Sequence, residues 1–381
     1  MNKNNFKFDL GTLPFYYKPL ETSHNIKDIP DGMNMCLEYK GGFIRQVYND
    51  EVEKTLNLAY EYGSDLSGLM DEDGIGKKYA DDFFDYINRK IVDLNGKEIL
   101  EIGCGTGYLL SRLYRAGGDC IGIEPGANAV IGKEKYNLNI IHDFFSPSYF
   151  DKQYDLIIFH CVLEHIYDTL HFLNDVKTLL KDEGRILLAV PDCETYIKLG
   201  DVSMLIHEHW NYFTVDSLNK YMLSQGLSGE YEKSEYSGAI FACLKKSFSI
   251  ESNETLSDYN NVLSEYMNKV EKNKNNFVRN IDKMMSQNKS IGIYVPGRII
   301  NFWSMCYKSF SSGIRFFDDN DRLYQTYYPG INIAIENFDD FKSNPTDIMI
   351  IASITFGEVI KAKIVDSGRP CKIYLLEELL T

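Results

Sequence analysis

Glu101-Ile102-Gly103-Cys104-Gly105-Thr106-Gly107-Tyr108-Leu109-Leu110 is the stretch whose reading decides the fold. It continues the apolar run Lys97-Glu98-Ile99-Leu100, which predicts a buried parallel strand, and leads into Leu109, Leu110 and Leu113 at helical spacing. Strand, glycine turn, helix is the geometry that lets a backbone approach a nucleotide and aims helix N–H groups at it. The glycines remove the Cβ atoms that would block the approach and tolerate unusual φ/ψ.

Outward from that turn the pattern repeats. Asp119-Cys120-Ile121-Gly122-Ile123-Glu124 predicts a second strand, and Pro125-Gly126-Ala127-Asn128-Ala129 opens a helix. Further strands are predicted at Asn139–Ile141, Tyr154–Phe159 and Arg185–Pro191. Strands alternating with helices imply a doubly wound parallel sheet. The segment 248–288, with Leu256, Leu263, Met267, Val270, Phe277, Ile281 and Met284-Met285 among charges, predicts a linking helix pair. Ser290–Val295, Ile314–Phe317, Asp347–Ala352 and Cys371–Leu375 predict a second α/β unit. Residues 1 to about 80 are the least regular. Asp9–Pro14 looks like a loop, and Asn49–Tyr62 like a helix with Val52, Leu56 and Leu58-Ala59 on its apolar side. The expected organisation is an N-terminal substrate or lid region over 1–75, a nucleotide-binding core over 76–247, a helical linker over 248–288 and a Rossmann-like unit over 289–381.

At 381 residues the chain has ample core for two or three domains. Its 44% apolar and 25% charged residues are ordinary for a globular protein. A net charge of −15 argues against nucleic acid or an anionic membrane as partner, while a local site can still hold a phosphorylated small molecule. The N-terminus lacks the apolar core of a signal peptide, and no run approaches the ~20 apolar residues of a spanning helix. Eight cysteines without a C-x-x-C indicate reduced thiols, neither a disulfide framework nor structural zinc. The expected location is the cytoplasm, as a monomer or small homo-oligomer without membrane insertion.

Two cofactors compete for the glycine turn. Dinucleotide sites prefer G-x-G-x-x-G under a pyrophosphate. Here the spacing is G-x-G-x-G, with Glu101 at the strand end and Glu124 ending the next strand, where an acid suits a bidentate bond to ribose hydroxyls. This resembles motif I of the class I S-adenosylmethionine methyltransferases, whose turn has no phosphate to neutralise. Glu101, Gly103, Gly105, Gly107, Glu124 and Pro125 are thus expected around the cofactor. Asp143 after the third strand can take an adenine amino group and Phe144 can stack on the ring. His160 and His165 flank the turn above the fourth strand, where ligands of open parallel sheets lie. His165 also reads as a satisfied core or helix-end histidine.

His207-Glu208-His209-Trp210-Asn211-Tyr212-Phe213-Thr214 is the second informative stretch. Its histidines are two apart, unlike the H-E-x-x-H of zinc enzymes. Six of the seven histidines lie between His142 and His209, so a histidine base comes from this core or is the isolated His24. Two imidazoles and a carboxylate beside Trp210 and Tyr212 form a place where pKa values are tuned. Upstream, Tyr60, Tyr62, Ser64 and Ser67 read either as a polar lid or as surface packing.

The order EIGCGTG, GIEPGANAV, DFF, YDLIIFHCVLEHI and HEHWNYFT resembles the S-adenosylmethionine-dependent sugar C-methyltransferases of deoxysugar and antibiotic-sugar pathways. The resemblance covers most of the chain, and Glu208-His209-x-x-Tyr212-Phe213 is its most specific segment. It implies an N-terminal substrate domain, a class I core and a C-terminal Rossmann-like domain that holds no cofactor. It makes His209 the base, Glu208 its neighbour, Tyr60 or Tyr62 a substrate-side hydroxyl, and Tyr212 part of the substrate site. The substrate it implies is a nucleotide-linked keto sugar, and S-adenosylhomocysteine is the product of the cofactor. The family's N-terminal zinc cysteines are absent, since only Cys36 falls in the first hundred residues, so no metal is expected. Ile206 stands where the family often has a tyrosine, Pro296-Gly297-Arg298 replaces a Gly-Ala-x-x-Lys-Gly-like turn, and Ile354-Thr355 replaces a Trp-Asn. Arg298 at a helix start reads as a diphosphate grip or a surface guanidinium. O- or N-methylation, a catalytically idle scaffold and a nicotinamide dehydrogenase using Asp318 are the alternatives.

Overall fold

A computed structural model describes residues 7–62, 70–72, 74–234, 236, 238–248, 256–310, 313–353 and 356–380. Ser64, Ser67, Ile354 and Thr355 lie outside them.

The chain opens with β1 (Lys7–Pro14), which pairs antiparallel with β2 (Gly32–Lys40), which in turn pairs with β3 (Phe43–Gln46). The expectation of a loop at 9–14 is corrected: it is a strand with a bulge. The register slips between Asp9 and Gly11, where Gly11 takes φ +76° and the Asp9 carboxylate accepts its N–H. Gly11 and Pro14 looked like loop punctuation; one makes the bulge and the other ends the strand, where its missing N–H costs nothing. α1 (Asp50–Glu61) follows, capped by the Asn49 side chain on Glu51 N–H. α2 (Gly74–Lys90) leads into the core.

There β4 (Glu98–Ile102), α3 (Tyr108–Arg115), β5 (Asp119–Ile123), α4 (Asn128–Tyr136), β6 (Ile140–Ile141), β7 (Tyr154–His160), α5 (Thr169–Leu179) and β8 (Leu180–Pro191) alternate as expected. After α6 (Glu194–Leu199), β9 (Asn211–Tyr212) and α7 (Val215–Ser224), an antiparallel hairpin of β10 (Leu227–Lys233) and β11 (Ala239–Lys246) completes the sheet. The sheet order is β10-β11-β8-β7-β4-β5-β6, with β11 antiparallel to β8. The chain runs outward from β4 to β6 and then returns to β7 on the other side. That reversal places the ligand crevice outside the carboxyl ends of β4 and β7. β9 leaves this sheet and pairs with β3, completing the order β1-β2-β3-β9.

The linker is one helix, α8 (Leu256–Met285), where a pair was expected. Leu263, Tyr266, Val270, Phe277, Ile281 and Met284 make one unbroken buried stripe, and the segment contains no Gly or Pro to end it. The C-terminal unit contains β12 (Ile291–Tyr294), α9 (Gly297–Cys306), β13 (Ile314–Phe317), β14 (Ile335–Glu336), α10 (Phe338–Ser343), β15 (Ile348–Ile351), α11 (Gly357–Asp366), β16 (Lys372–Leu375) and α12 (Leu376–Leu380). Its parallel sheet has the order β14-β13-β12-β15-β16. Phe8, Leu10, Met35 and Leu37 of the first sheet share one core with α8 and this unit. Among the described residues no helix is long and apolar enough to cross a membrane.

Candidate active site

At the carboxyl end of β4 the turn is built as its glycines required. Gly103, Gly105 and Gly107 take φ +69°, +53° and +75°. A Cβ on Gly103 would stand 2.6 Å from the Val162 Cγ2, so the turn packs directly under the loop after β7. Glu124 knits the turn to the loop after β5: one carboxylate oxygen accepts Gly105 N–H (3.0 Å) and the other Gly126 N–H (2.7 Å). Each oxygen keeps a second lone pair. Glu101 is buried beneath, one oxygen without a hydrogen-bond partner, and burial followed by the nearby Glu124 charge holds its carboxyl well above the usual range. Gly103→Ala forces an L-residue into a left-handed conformation, costing about 1–2 kcal/mol, and adds the clash. Calorimetry should show cofactor affinity falling at least tenfold while circular dichroism of the fold is retained.

Beyond β7 the chain turns sharply. Cys161 adopts φ +52°, and a short 3-10 turn, Leu163–His165, follows. Four hydrogen bonds from three residues fix it. Trp210 N–H donates to the Glu164 carbonyl (2.7 Å), the Asn211 amide donates to the Leu163 (3.0 Å) and Ile166 (2.7 Å) carbonyls, and Arg45 donates to the Tyr167 carbonyl (2.7 Å). Arg45 and Asn211 are opposite each other in the β3–β9 pair. The first sheet thus holds the loop above the central sheet.

This anchoring brings Glu164, His165, Glu208 and His209 together, although they lie far apart in sequence. The His165 and His209 rings stand edge to face at 4.8 Å. His165 Nδ1 bonds to the Glu208 carbonyl (3.1 Å), and its Nε2 lies 3.8 Å from the Glu164 carboxylate. Burial and then the His165 ring hold His209 well below the ordinary imidazole value, so at neutral pH it is an uncharged base. Burial raises Glu164. From the first lobe, Tyr60 donates its hydroxyl to Glu208; burial and that carboxylate push its pKa well up.

The structure separates several residues that the sequence grouped. His207 is buried, its Nε2 at 3.0 Å from the Met33 carbonyl and its ring against Phe15, and desolvation lowers its pKa to about 4. It is a tie between the loop and β2. Tyr212 does not face a substrate: it is buried, and its hydroxyl donates to the Ile206 carbonyl (3.2 Å), bracing the turn that carries His209. Tyr62 is exposed at the end of α1, whereas Tyr60 shares the helix face of Val52 and Leu56. Arg298 neither grips a diphosphate nor lies on the surface. It is buried, donating to Asp201 from Nε (2.9 Å) and to Glu377 from a terminal nitrogen (2.8 Å). Tyr328 already accepts the Gly297 N–H at the start of that helix.

His160 ends β7 against the Phe83 ring, its Nε2 buried without a partner and its pKa lowered to about 4 by desolvation. Asp143 accepts from the Tyr149 hydroxyl and the Phe144 N–H (2.8 Å), while Phe144 and the Glu124-side Pro125 remain accessible. Sequence reasoning passed over Glu164, Arg45 and Asn211. Glu164 was the findable one, as an acid beside a histidine in the turn after a central strand.

Residues 76–232 match a family model described as a methyltransferase domain. A ubiquinone biosynthesis O-methyltransferase of Bradyrhizobium sp. is 26% identical over 42% of this chain and 68% of its own length. Another of that name, from Actinobacillus pleuropneumoniae serotype 5b, is 35% identical over 26% of this chain and 48% of its own. Among solved structures, magnesium protoporphyrin IX methyltransferase from Synechocystis with bound SAH is 16% identical, covers 45% of this chain and 82% of that one, and has a TM-score of 0.36. An S-adenosylmethionine-dependent methyltransferase from Mesorhizobium loti is 10% identical, covering 43% and 98% of the two chains, with a TM-score of 0.37.

The central sheet and its turn define a class I methyltransferase fold. Residues 76–232 are the chain's S-adenosylmethionine-dependent methyltransferase domain. Its residues fit that cofactor. The Glu124 carboxylate beside the glycine turn keeps a lone pair on each oxygen for ribose hydroxyls and opposes a pyrophosphate.

Proposed function

We propose that this chain transfers a methyl group to a hydroxyl of a small polar acceptor, with His209 removing the acceptor proton. The observation that carries this reading is an uncharged, half-buried imidazole at the ligand-bearing end of the sheet, beside the hydrogen-bonded pair of Glu208 and the first lobe's Tyr60. The chemistry supplied by S-adenosylmethionine is an activated methyl on a cationic sulfur. His209 takes the proton as the acceptor oxygen becomes a nucleophile. Tyr60 and Glu208 orient the acceptor through hydrogen bonds, and the β3–β9 anchoring holds His209 and His165 in place. Oxygen as the acceptor is supported by the O-methyltransferase names of the relatives.

A second reading, methylation of carbon next to a keto group in a nucleotide-linked sugar, draws on Glu208-His209 and on the three-part chain organisation. Mass spectrometry of products from S-adenosylmethionine with panels of hydroxylated phenols, hydroxysugars and nucleotide-linked ketosugars separates the two. Oxygen methylation gives a product whose methyl is lost on ether cleavage and no solvent deuterium uptake next to a ketone. Deuterium uptake without S-adenosylmethionine, followed by a carbon-methylated product, supports the second reading and overturns the first.

A further inference from the structure

We propose that Glu164, His165 and His209 together bind one divalent transition-metal ion of the zinc class. One ligand atom from each lies within 4.8 Å of the other two. Tetrahedral zinc with bonds of about 2.0–2.1 Å spaces its ligands about 3.3 Å apart, so side-chain rotation of an ångström or so closes the set.

The second observation is a mismatch of hydrogen-bonding roles. Glu164 is 1% exposed, and among the described residues its carboxylate has as donors its own backbone N–H and the weak Cys161 thiol. It faces the Nε2 of His165. The Glu208 carbonyl only accepts, so His165 Nδ1 is the donor there and Nε2 is the nitrogen left for another partner. The buried Glu164 carboxyl and that Nε2 therefore face each other at 3.8 Å, with a second imidazole alongside. A buried carboxylate with only weak donors is costly, and a cation held between it and the two imidazoles serves it better. An imidazole whose far nitrogen donates to a backbone carbonyl is also the arrangement that orients histidine on a metal. The donor set of two nitrogens and one carboxylate suits zinc and leaves a coordination position open.

Binding does not depend on the proposed reaction, but its consequence rests on it. A metal on His209 takes the lone pair that would accept the proton, so the loaded and catalytic states exclude each other. Zinc is then an inhibitor, reversed by chelator.

The test uses the full chain stripped with chelator. Cobalt(II) titration followed by visible absorption, and zinc competition against a chromophoric chelator, should show one saturable site. Glu164→Gln, which keeps the shape, and His165→Ala should each weaken it tenfold or more. Absence of saturable binding, or binding indifferent to both substitutions, overturns the site; a proton shared by Glu164 and His165 then satisfies the pair. Zinc added with S-adenosylmethionine and acceptor should lower turnover in step with occupancy. Turnover that rises with occupancy leaves the site standing and overturns the role of His209 as base.

Discussion

His209→Ala should cut turnover by roughly 10²- to 10⁴-fold, the usual scale for losing a general base, while cofactor affinity is kept. The two properties separate because they sit on different parts of the fold. The cofactor end is made by Gly103, Gly105 and Gly107 with Glu124, all from β4, β5 and their turns. His209 arrives from the segment after β8, which is held by β3. Initial rates and S-adenosylhomocysteine calorimetry on the same preparation check both halves. His207→Ala is the control two residues away. It leaves the Met33 carbonyl without its partner, at a cost of about 1–3 kcal/mol, so it should lower the melting temperature and spare the rate per folded molecule. If the two variants lose turnover alike while both remain folded, the proton is removed elsewhere.

The contrast between these two histidines shows where sequence reading reaches its limit. The central sheet was legible because β4 and β5 are short apolar runs closed by Gly103 and Glu124, and because strand–helix alternation admits few topologies. The first lobe was not. Its closing pair joins Ile44 and Arg45 to Tyr212 and Asn211 across the whole β4–β8 segment, and no local pattern announces such a pairing. The same pairing decides which side chains meet. Nothing between Glu164 and His209 in sequence says that their loops touch; the Trp210, Asn211 and Arg45 hydrogen bonds do that. Choosing Tyr60 over Tyr62 was within reach, since Tyr60 follows Leu56 at i+4 on the buried side of α1.

Asp201→Ala should be the most destabilising single change away from the glycine turn. Asp201 is fully buried and Arg298 nearly so, and their ion pair links the loop after α6 to the first turn of α9. Tyr266 of α8 donates to the Asp201 carbonyl (2.9 Å), and Asn301 of α9 donates to Val202 and Leu205, so the pair lies within a polar seam between the central domain and the C-terminal unit. Removing one partner strands a buried charge, at about 3–5 kcal/mol. At roughly 2–4 °C per kcal/mol for a domain of 150–250 residues, the melting temperature should fall by roughly 6 to 20 °C. Glu377 only partly offsets the loss, because it is more exposed. Arg298→Met together with Asp201→Leu removes both charges and should recover most of the loss, since an apolar pair of similar volume is often neutral in such a place. A diphosphate grip at Arg298 makes the opposite forecast. Arg298→Met alone would then raise KM for a nucleotide-linked acceptor and leave the melting temperature where it was.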